Sequence, residues 1–121
     1  MTRRILVIED QEDNRRILRD LLASAGYESI EIGAGEEAPA LAQMQHPDLI
    51  LMDIQLPGID GYEATRRIKA NPALRGIPVI AVTSYALSGD EVKAREAGCD
   101  GYVTKPFSPR ALLAKIREYL P

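Results

Sequence analysis

Three runs in this chain, Ile5-Leu6-Val7-Ile8, Leu49-Ile50-Leu51-Met52 and Val79-Ile80-Ala81-Val82, are apolar at every position. Each is about one helical turn long and has no polar face to show to water, so it reads as a strand covered on both sides. Amphipathic stretches long enough to form helices separate the runs, which is the pattern of repeated βα units around a parallel sheet. Two more short runs complete the set. Ser29-Ile30-Glu31-Ile32 alternates and Gly101-Tyr102-Val103-Thr104 is mixed, so both keep some polar surface and suit the sheet's edges. The expected strands are therefore Arg4 to Glu9, Ser29 to Ile32, Leu49 to Met52, Val79 to Val82 and Gly101 to Thr104. Three central and two edge strands match a doubly wound five-stranded parallel sheet in the order 2-1-3-4-5, with five helices.

The helices are marked by their ends. The first is expected from Gln11 to Ala25, with Ile17, Leu18, Leu21, Leu22 and Ala25 facing the sheet before Gly26 stops it. Pro39 falls in the first turn of the second, where it breaks nothing. Asp60-Gly61-Tyr62-Glu63 and Ser88-Gly89-Asp90-Glu91 have capping-box spacing and place starts near Gly61 and Gly89, while Asn71-Pro72 and Gly98 mark ends. Ser108-Pro109 opens a last helix running to about Leu120.

A length of 121 residues points to one domain, 1–121, with a single sheet-centred core. Eighteen Asp and Glu outweigh fifteen Lys and Arg, Trp is absent and there are only five Tyr and one Phe. That leaves neither the basic stripe nor the stacking platform of a direct nucleic-acid binder. The single cysteine, Cys99, cannot form an internal disulfide and reads as a small buried filler, in keeping with a reducing compartment. Arg3-Arg4 before an apolar run imitates a secretion signal, but Glu9-Asp10 ends the run after four residues. The reading is a cytoplasmic module without export signal or membrane span.

In a doubly wound sheet, ligands bind beyond the carboxyl ends of the strands. Those ends carry Glu9-Asp10, Asp53, Thr83-Ser84 and Lys105-Pro106. Three carboxylates on one rim repel one another, and one lysine offsets only part of their charge. An all-oxygen set with spare positions suits a hard divalent ion such as Mg²⁺. With such an ion and a lysine offsetting the oxygens' charge, an aspartate can attack phosphorus and form an acyl phosphate. Asp53 is the natural nucleophile.

Ile5-Leu6-Val7-Ile8-Glu9-Asp10, Leu51-Met52-Asp53-Ile54-Gln55-Leu56-Pro57-Gly58-Ile59-Asp60-Gly61, Val82-Thr83-Ser84 and Thr104-Lys105-Pro106-Phe107 together resemble the receiver domain of two-component response regulators. The likeness spans essentially the whole chain and implies the flavodoxin-like α/β fold. It implies that Asp53 accepts a phosphoryl group from a phosphohistidine on a sensor histidine kinase or histidine phosphotransfer protein. Mg²⁺ would then be bound directly by Asp10 and Asp53, through water by Glu9, and by the backbone carbonyl of Gln55. Thr83, Ser84 and Lys105 would surround the phosphoryl oxygens, and Thr83 and Tyr102 would switch on phosphorylation. The resemblance further implies a cis Lys105–Pro106 peptide and output to a downstream protein target through helix four, strand five and helix five. It also places kinase docking on Asn14, Arg15, Leu18, Pro106 and Phe107, and tuning of phosphoryl lifetime on Gln55 and Tyr85, with bulky Tyr85 shielding the acyl phosphate.

Glu9 stands where the family more often has aspartate and Ser84 where it more often has alanine, and neither change removes an essential group. Simpler roles compete for single residues. Asp10 could cap the first helix, Lys105 could be a solvated charge, and Tyr102 could be a half-buried edge-strand tyrosine. His46, the only histidine, precedes Pro47 away from the rim and reads as a surface residue, so a phosphohistidine must come from a partner. Three other functions share parts of the pattern. A nucleotide- or flavin-binding protein of this fold would need a glycine- or hydroxyl-rich loop where Glu9-Asp10-Gln11-Glu12-Asp13 stands. An aspartyl phosphatase would carry paired acids after its first strand. A phosphorylation-independent interaction module would have no use for the acid, hydroxyl and lysine set. The reading is thus a non-enzymatic stand-alone receiver, with a receiver fragment of a hybrid kinase or larger regulator as the alternative.

Overall fold

The computed structural model describes residues 2–84 and 90–121. Five strands, β1 (Arg4–Ile8), β2 (Glu28–Ile32), β3 (Leu49–Asp53), β4 (Val79–Thr83) and β5 (Gly101–Thr104), form one parallel sheet in the order β2-β1-β3-β4-β5. Five helices connect and follow them: α1 (Glu12–Ser24), α2 (Ala38–Gln45), α3 (Gly61–Ala70), α4 (Asp90–Ala97) and α5 (Pro109–Tyr119). A short 3₁₀ turn, Gly35–Glu37, leads into α2. The doubly wound α/β fold and strand order are those expected from the three apolar runs. β3 and β4 are buried at every position, whereas β5 is half-buried throughout and β2 is half-buried or exposed.

Side chains alternate across the sheet and so divide the core in two. Leu6, Ile8, Ile50, Met52, Val79 and Ala81 pack with Ala38, Ala42, Ala64, Ile68 and Ala94 of α2, α3 and α4. Ile5, Val7, Leu49, Leu51 and Ile80 face the other way, onto Leu18 and Leu22 of α1 and Leu112 and Ile116 of α5. Cys99 is buried in the first cluster, its thiol 3.7 Å from Thr65 Oγ1, as a small core residue.

Helix starts follow their cap chemistry. Asp60 accepts the Glu63 backbone N–H at 2.9 Å, and Ser108 Oγ accepts that of Ala111 at 3.0 Å with Pro109 as the first helical residue. The Glu63 carboxylate pairs with Arg66 and Arg67 along the helix. Pro39 sits in the first turn of α2 as expected. Ser88 and Gly89, expected to open α4, lie outside the described residues.

The face of α1 is narrower than its sequence suggests. Leu18 and Leu22 are buried, but Ile17 is 61% exposed. Adjacent helical residues point about 100° apart, so Ile17 falls off the buried stripe that Leu18 and Leu22 define.

One glycine governs the join between β3 and α3. The Gly61 N–H donates to the Ile54 carbonyl, and a Cβ on Gly61 would lie 2.3 Å from the Asp53 carbonyl oxygen. Only a residue without a side chain lets α3 start so close to the end of β3. Gly61→Ala is expected to lower unfolding stability by about 2–4 kcal/mol in urea denaturation. Gly76→Ala, where a Cβ meets nothing within 4 Å, should change it by less than about 1 kcal/mol.

Candidate functional site

Beyond the carboxyl ends of the strands the ladder continues for one more residue. Glu9 N–H donates to the Ile32 carbonyl at 3.0 Å, Ile54 N–H to Val82 at 3.0 Å and Lys105 N–H to Thr83 at 2.6 Å. These bonds align Glu9, Asp53, Thr83 and Lys105 along one rim. Glu9, Asp53 and Thr83 are all buried, at 2%, 5% and 1% exposure, so strand geometry and not chance surface contact gathers them.

The Lys105 ammonium lies 2.8 Å from Glu9 Oε1 and 3.4 Å from Asp53 Oδ2. The second oxygen of each carboxylate turns to the backbone two residues on. Glu9 Oε2 accepts the Gln11 N–H and Asp53 Oδ1 the Gln55 N–H, both at 3.1 Å. Asp10 supplies a third carboxylate, and Glu9, Asp10 and Asp53 each present an oxygen within 4.8 Å of the others. The N-cap of α1 is Gln11, so Asp10 is not consumed in capping that helix.

Three carboxylates against one ammonium leave an excess of negative charge, and it falls on Asp53. Burial and then the neighbouring Glu9 carboxylate push its carboxyl from the ordinary 3.8 up to about 6, against the pull of Lys105. Glu9 is held below the usual carboxylate range, because hydrogen bonds from Lys105 and the Gln11 N–H outweigh its burial. Lys105 is raised, since contact with both acids more than offsets its own desolvation. The set contains only oxygen donors, carries net negative charge and opens to solvent, which fits a hard divalent cation.

The opposite wall belongs to β4. Gln55 reaches across from the β3–α3 loop, its Nε2 donating to Thr83 Oγ1 at 2.6 Å and its Oε1 accepting the Ser84 N–H at 3.0 Å. A cavity of about 350 Å³ between these walls is lined by Glu9, Asp10, Gln11, Asn14, Asp53, Gln55, Ser84 and Lys105. Beside it runs a more apolar groove of about 480 Å³, formed by Ile17, Leu18, Pro106 and Phe107 and sharing Glu9, Asn14, Ser84 and Lys105 with the cavity.

Most residues singled out in the sequence thus meet at one end of the sheet. Asn14, Leu18, Pro106 and Phe107 line the groove, although Leu18 shows it only an edge. Arg15 instead turns inward, its guanidinium 2.7 Å from the Glu9 carbonyl oxygen. Tyr102 packs half-buried against the core on β5. The Lys105–Pro106 peptide is cis. Tyr85 lies outside the described residues. His46 is exposed at the end of α2.

Three contributions were not foreseen: the bonds of the Gln55 amide to Thr83 and Ser84, where the sequence named Gln55 only for its backbone carbonyl and for tuning lifetime; the bond of Arg15 to Glu9, where it named Arg15 for docking; and Glu36. The Glu36 Oε1 accepts the Ile59 N–H at 2.8 Å and so ties down the loop that follows Asp53.

Asp53→Asn tests the electrostatics of the cation-free site. Between pH 4 and 6 native Asp53 retains a proton that the unfolded chain has released, so wild-type stability falls as pH rises through that window. The variant should match the wild type at about pH 4 and exceed it at pH 7 by on the order of 1–3 kcal/mol, read by thermal unfolding in chelator.

Comparison with known proteins agrees with this geometry. The family described as "Response regulator receiver domain" matches residues 5–117. The polar-differentiation response regulator DivK of Brucella ovis is 48% identical over 120 residues, covering 99% of this chain and 98% of its own. Among solved structures, the receiver domain of sensor histidine kinase PA1611 from Pseudomonas aeruginosa has a magnesium ion coordinated in its active site cleft. It superposes with a TM-score of 0.91 at 37% identity, over 99% of this chain and 98% of that one. The chemotaxis response regulator CheY4 of Vibrio cholerae superposes at 0.92 with 25% identity, over 98% and 99% of the two chains.

Proposed function

The chain belongs to the response regulator receiver domain family, and we propose that it is a Mg²⁺-dependent receiver phosphorylated on Asp53. The observation that carries this reading is the position of Asp53. It is a buried carboxylate on the floor of a solvent-open cavity, 3.4 Å from an ammonium, across from the hydroxyl and backbone N–H groups at the end of β4. The donor is a phosphohistidine on a sensor histidine kinase or histidine phosphotransfer protein.

An Asp53 carboxylate oxygen attacks phosphorus, the P–N bond to the partner's imidazole breaks, and the leaving nitrogen keeps the bonding pair. An acyl phosphate results on Asp53. At neutral pH the carboxyl is largely ionised despite its raised pKa of about 6, so it arrives as a nucleophile. Lys105 already touches Asp53 and remains to hold a phosphoryl oxygen. Thr83 and Ser84 offer a hydroxyl and a backbone N–H from the facing wall. Glu9, Asp10, Asp53 and the Gln55 carbonyl would hold Mg²⁺, which when bound offsets the charge of the phosphoryl oxygens.

The apolar groove of Pro106 and Phe107 beside the cavity supports docking of a partner next to Lys105. Output runs through α4, β5 and α5 to a downstream protein, with Thr83 and Tyr102 as the switch pair. The reading is of a single receiver unit, 1–121, that acts through protein contacts in the cytoplasm; similarity over 98% of DivK's own length supports the receiver part of it. Among the described residues no helix is long and apolar enough to cross a membrane.

Intact-mass spectrometry after incubation with a small-molecule phosphodonor tests the reading. One added phosphoryl group, dependent on Mg²⁺, labile to hydroxylamine and absent from Asp53→Asn, is the expected result. No adduct from either the small donor or phosphohistidine proteins would leave a phosphate-independent interaction module.

A further inference from the structure

The Gln55 amide has a fixed orientation. The Ser84 backbone N–H can only donate, so the oxygen of the amide must face it, which turns Nε2 toward Thr83 Oγ1. One side chain therefore holds both polar groups of the β4 wall, across 28 residues of sequence to Thr83 and 29 to Ser84. Its own backbone is tied to the other wall, the Gln55 N–H donating to Asp53 Oδ1.

We propose that Gln55 is a clasp that holds the end of β4 by side-chain bonds and must release the Ser84 N–H before it can serve a phosphoryl group. This inference rests on Asp53 being the phosphoacceptor. A phosphoryl group carries only acceptor oxygens at neutral pH, so it competes directly with Gln55 Oε1 for the Ser84 N–H. The Nε2 bond to Thr83 uses only a lone pair of Oγ1 and leaves the hydroxyl proton able to donate, so the contest is for the Ser84 N–H. The charged phosphoryl is the stronger acceptor and wins the exchange, but part of its interaction is spent breaking that existing bond. Gln55 is thus a positioning residue that sets how far the unphosphorylated state is favoured.

The test uses beryllofluoride as the phosphoryl mimic at saturating Mg²⁺, with affinity measured by calorimetry and Ser84 followed through its backbone amide in NMR. Gln55→Met preserves length and removes both bonds, and Gln55→Ala serves if the methionine packs badly. Both variants are expected to bind beryllofluoride about fivefold tighter than the wild type, since the hydrogen bond that competes for the Ser84 N–H is gone. In wild-type protein without beryllofluoride the Ser84 N–H should exchange slowly although Ser84 is exposed, and it should lose that protection in the variants. Equal affinities, or a rapidly exchanging Ser84 N–H in the wild type, would overturn the clasp alone. If the wild type binds beryllofluoride no better than Asp53→Asn, the phosphoacceptor reading falls and takes the clasp with it.

Discussion

A single ammonium shared between two buried carboxylates is the constraint around which the carboxyl end of this sheet is arranged. Glu9 and Asp53 are 2% and 5% exposed, and stripping a carboxylate of water costs several kcal/mol unless partners replace the solvent. Lys105 supplies one partner to each, and each finds its second in a backbone N–H two residues further on. Satisfying both acids therefore requires the chain to turn directly after β1 and after β3. The turn after β3 in turn requires the close approach at Gly61 and the anchoring of Ile59 by Glu36. The balance is incomplete, because one positive charge serves two buried acids with Asp10 nearby. The raised carboxyl of Asp53 is the visible residue of that imbalance.

The two walls of the cavity are held in different ways. On the floor, backbone-to-backbone bonds carry the restraint, Ile54 N–H to the Val82 carbonyl and Gly61 N–H to that of Ile54, and the Gln55 N–H adds a bond to the Asp53 carboxylate. On the β4 wall, the ladder from Lys105 N–H fixes only the Thr83 carbonyl, while Gln55 holds the Thr83 hydroxyl and the Ser84 N–H by side-chain contact. A side-chain amide can change rotamer without disturbing the sheet, whereas a ladder bond cannot break without loosening a strand. Under the proposed function, attack and response would thus fall to structures of different stiffness.

How much of this was legible depends on the kind of information involved. Strand order followed from burial: Leu49 to Met52 had to be central because nothing in it tolerates water, and Glu31 marked an edge because something in it does. The rim residues followed from strand ends, since a parallel sheet delivers them all to one side. Ile17 was misplaced because apolar character does not reveal where a buried stripe stops. It sits at the groove beside Pro106 and Phe107, a position that depends on another element altogether. The bonds of Gln55 to Thr83 and Ser84 and that of Arg15 to Glu9 were invisible for a different reason. Long polar side chains choose partners by three-dimensional proximity, and neither periodicity nor spacing encodes a contact between Gln55 and Thr83.

The charge around the cavity also narrows the chemistry. The residues entering α1, Glu12 and Asp13, place acids in its first turn beside Glu9 and Asp10. A helix N-terminus, ordinarily attractive to phosphate, is thus already occupied by negative charge. An anionic phosphoryl donor meets net repulsion there unless a cation is present, which ties the proposed reaction to Mg²⁺ and disfavours a nucleotide pocket. Phosphorylation would then replace a carboxylate of one negative charge with a group of about two. The net field changes modestly. What changes sharply is the number and direction of acceptors facing Lys105, Thr83 and Ser84, so the signal must be read through hydrogen-bond geometry on the β4 wall more than through charge at a distance.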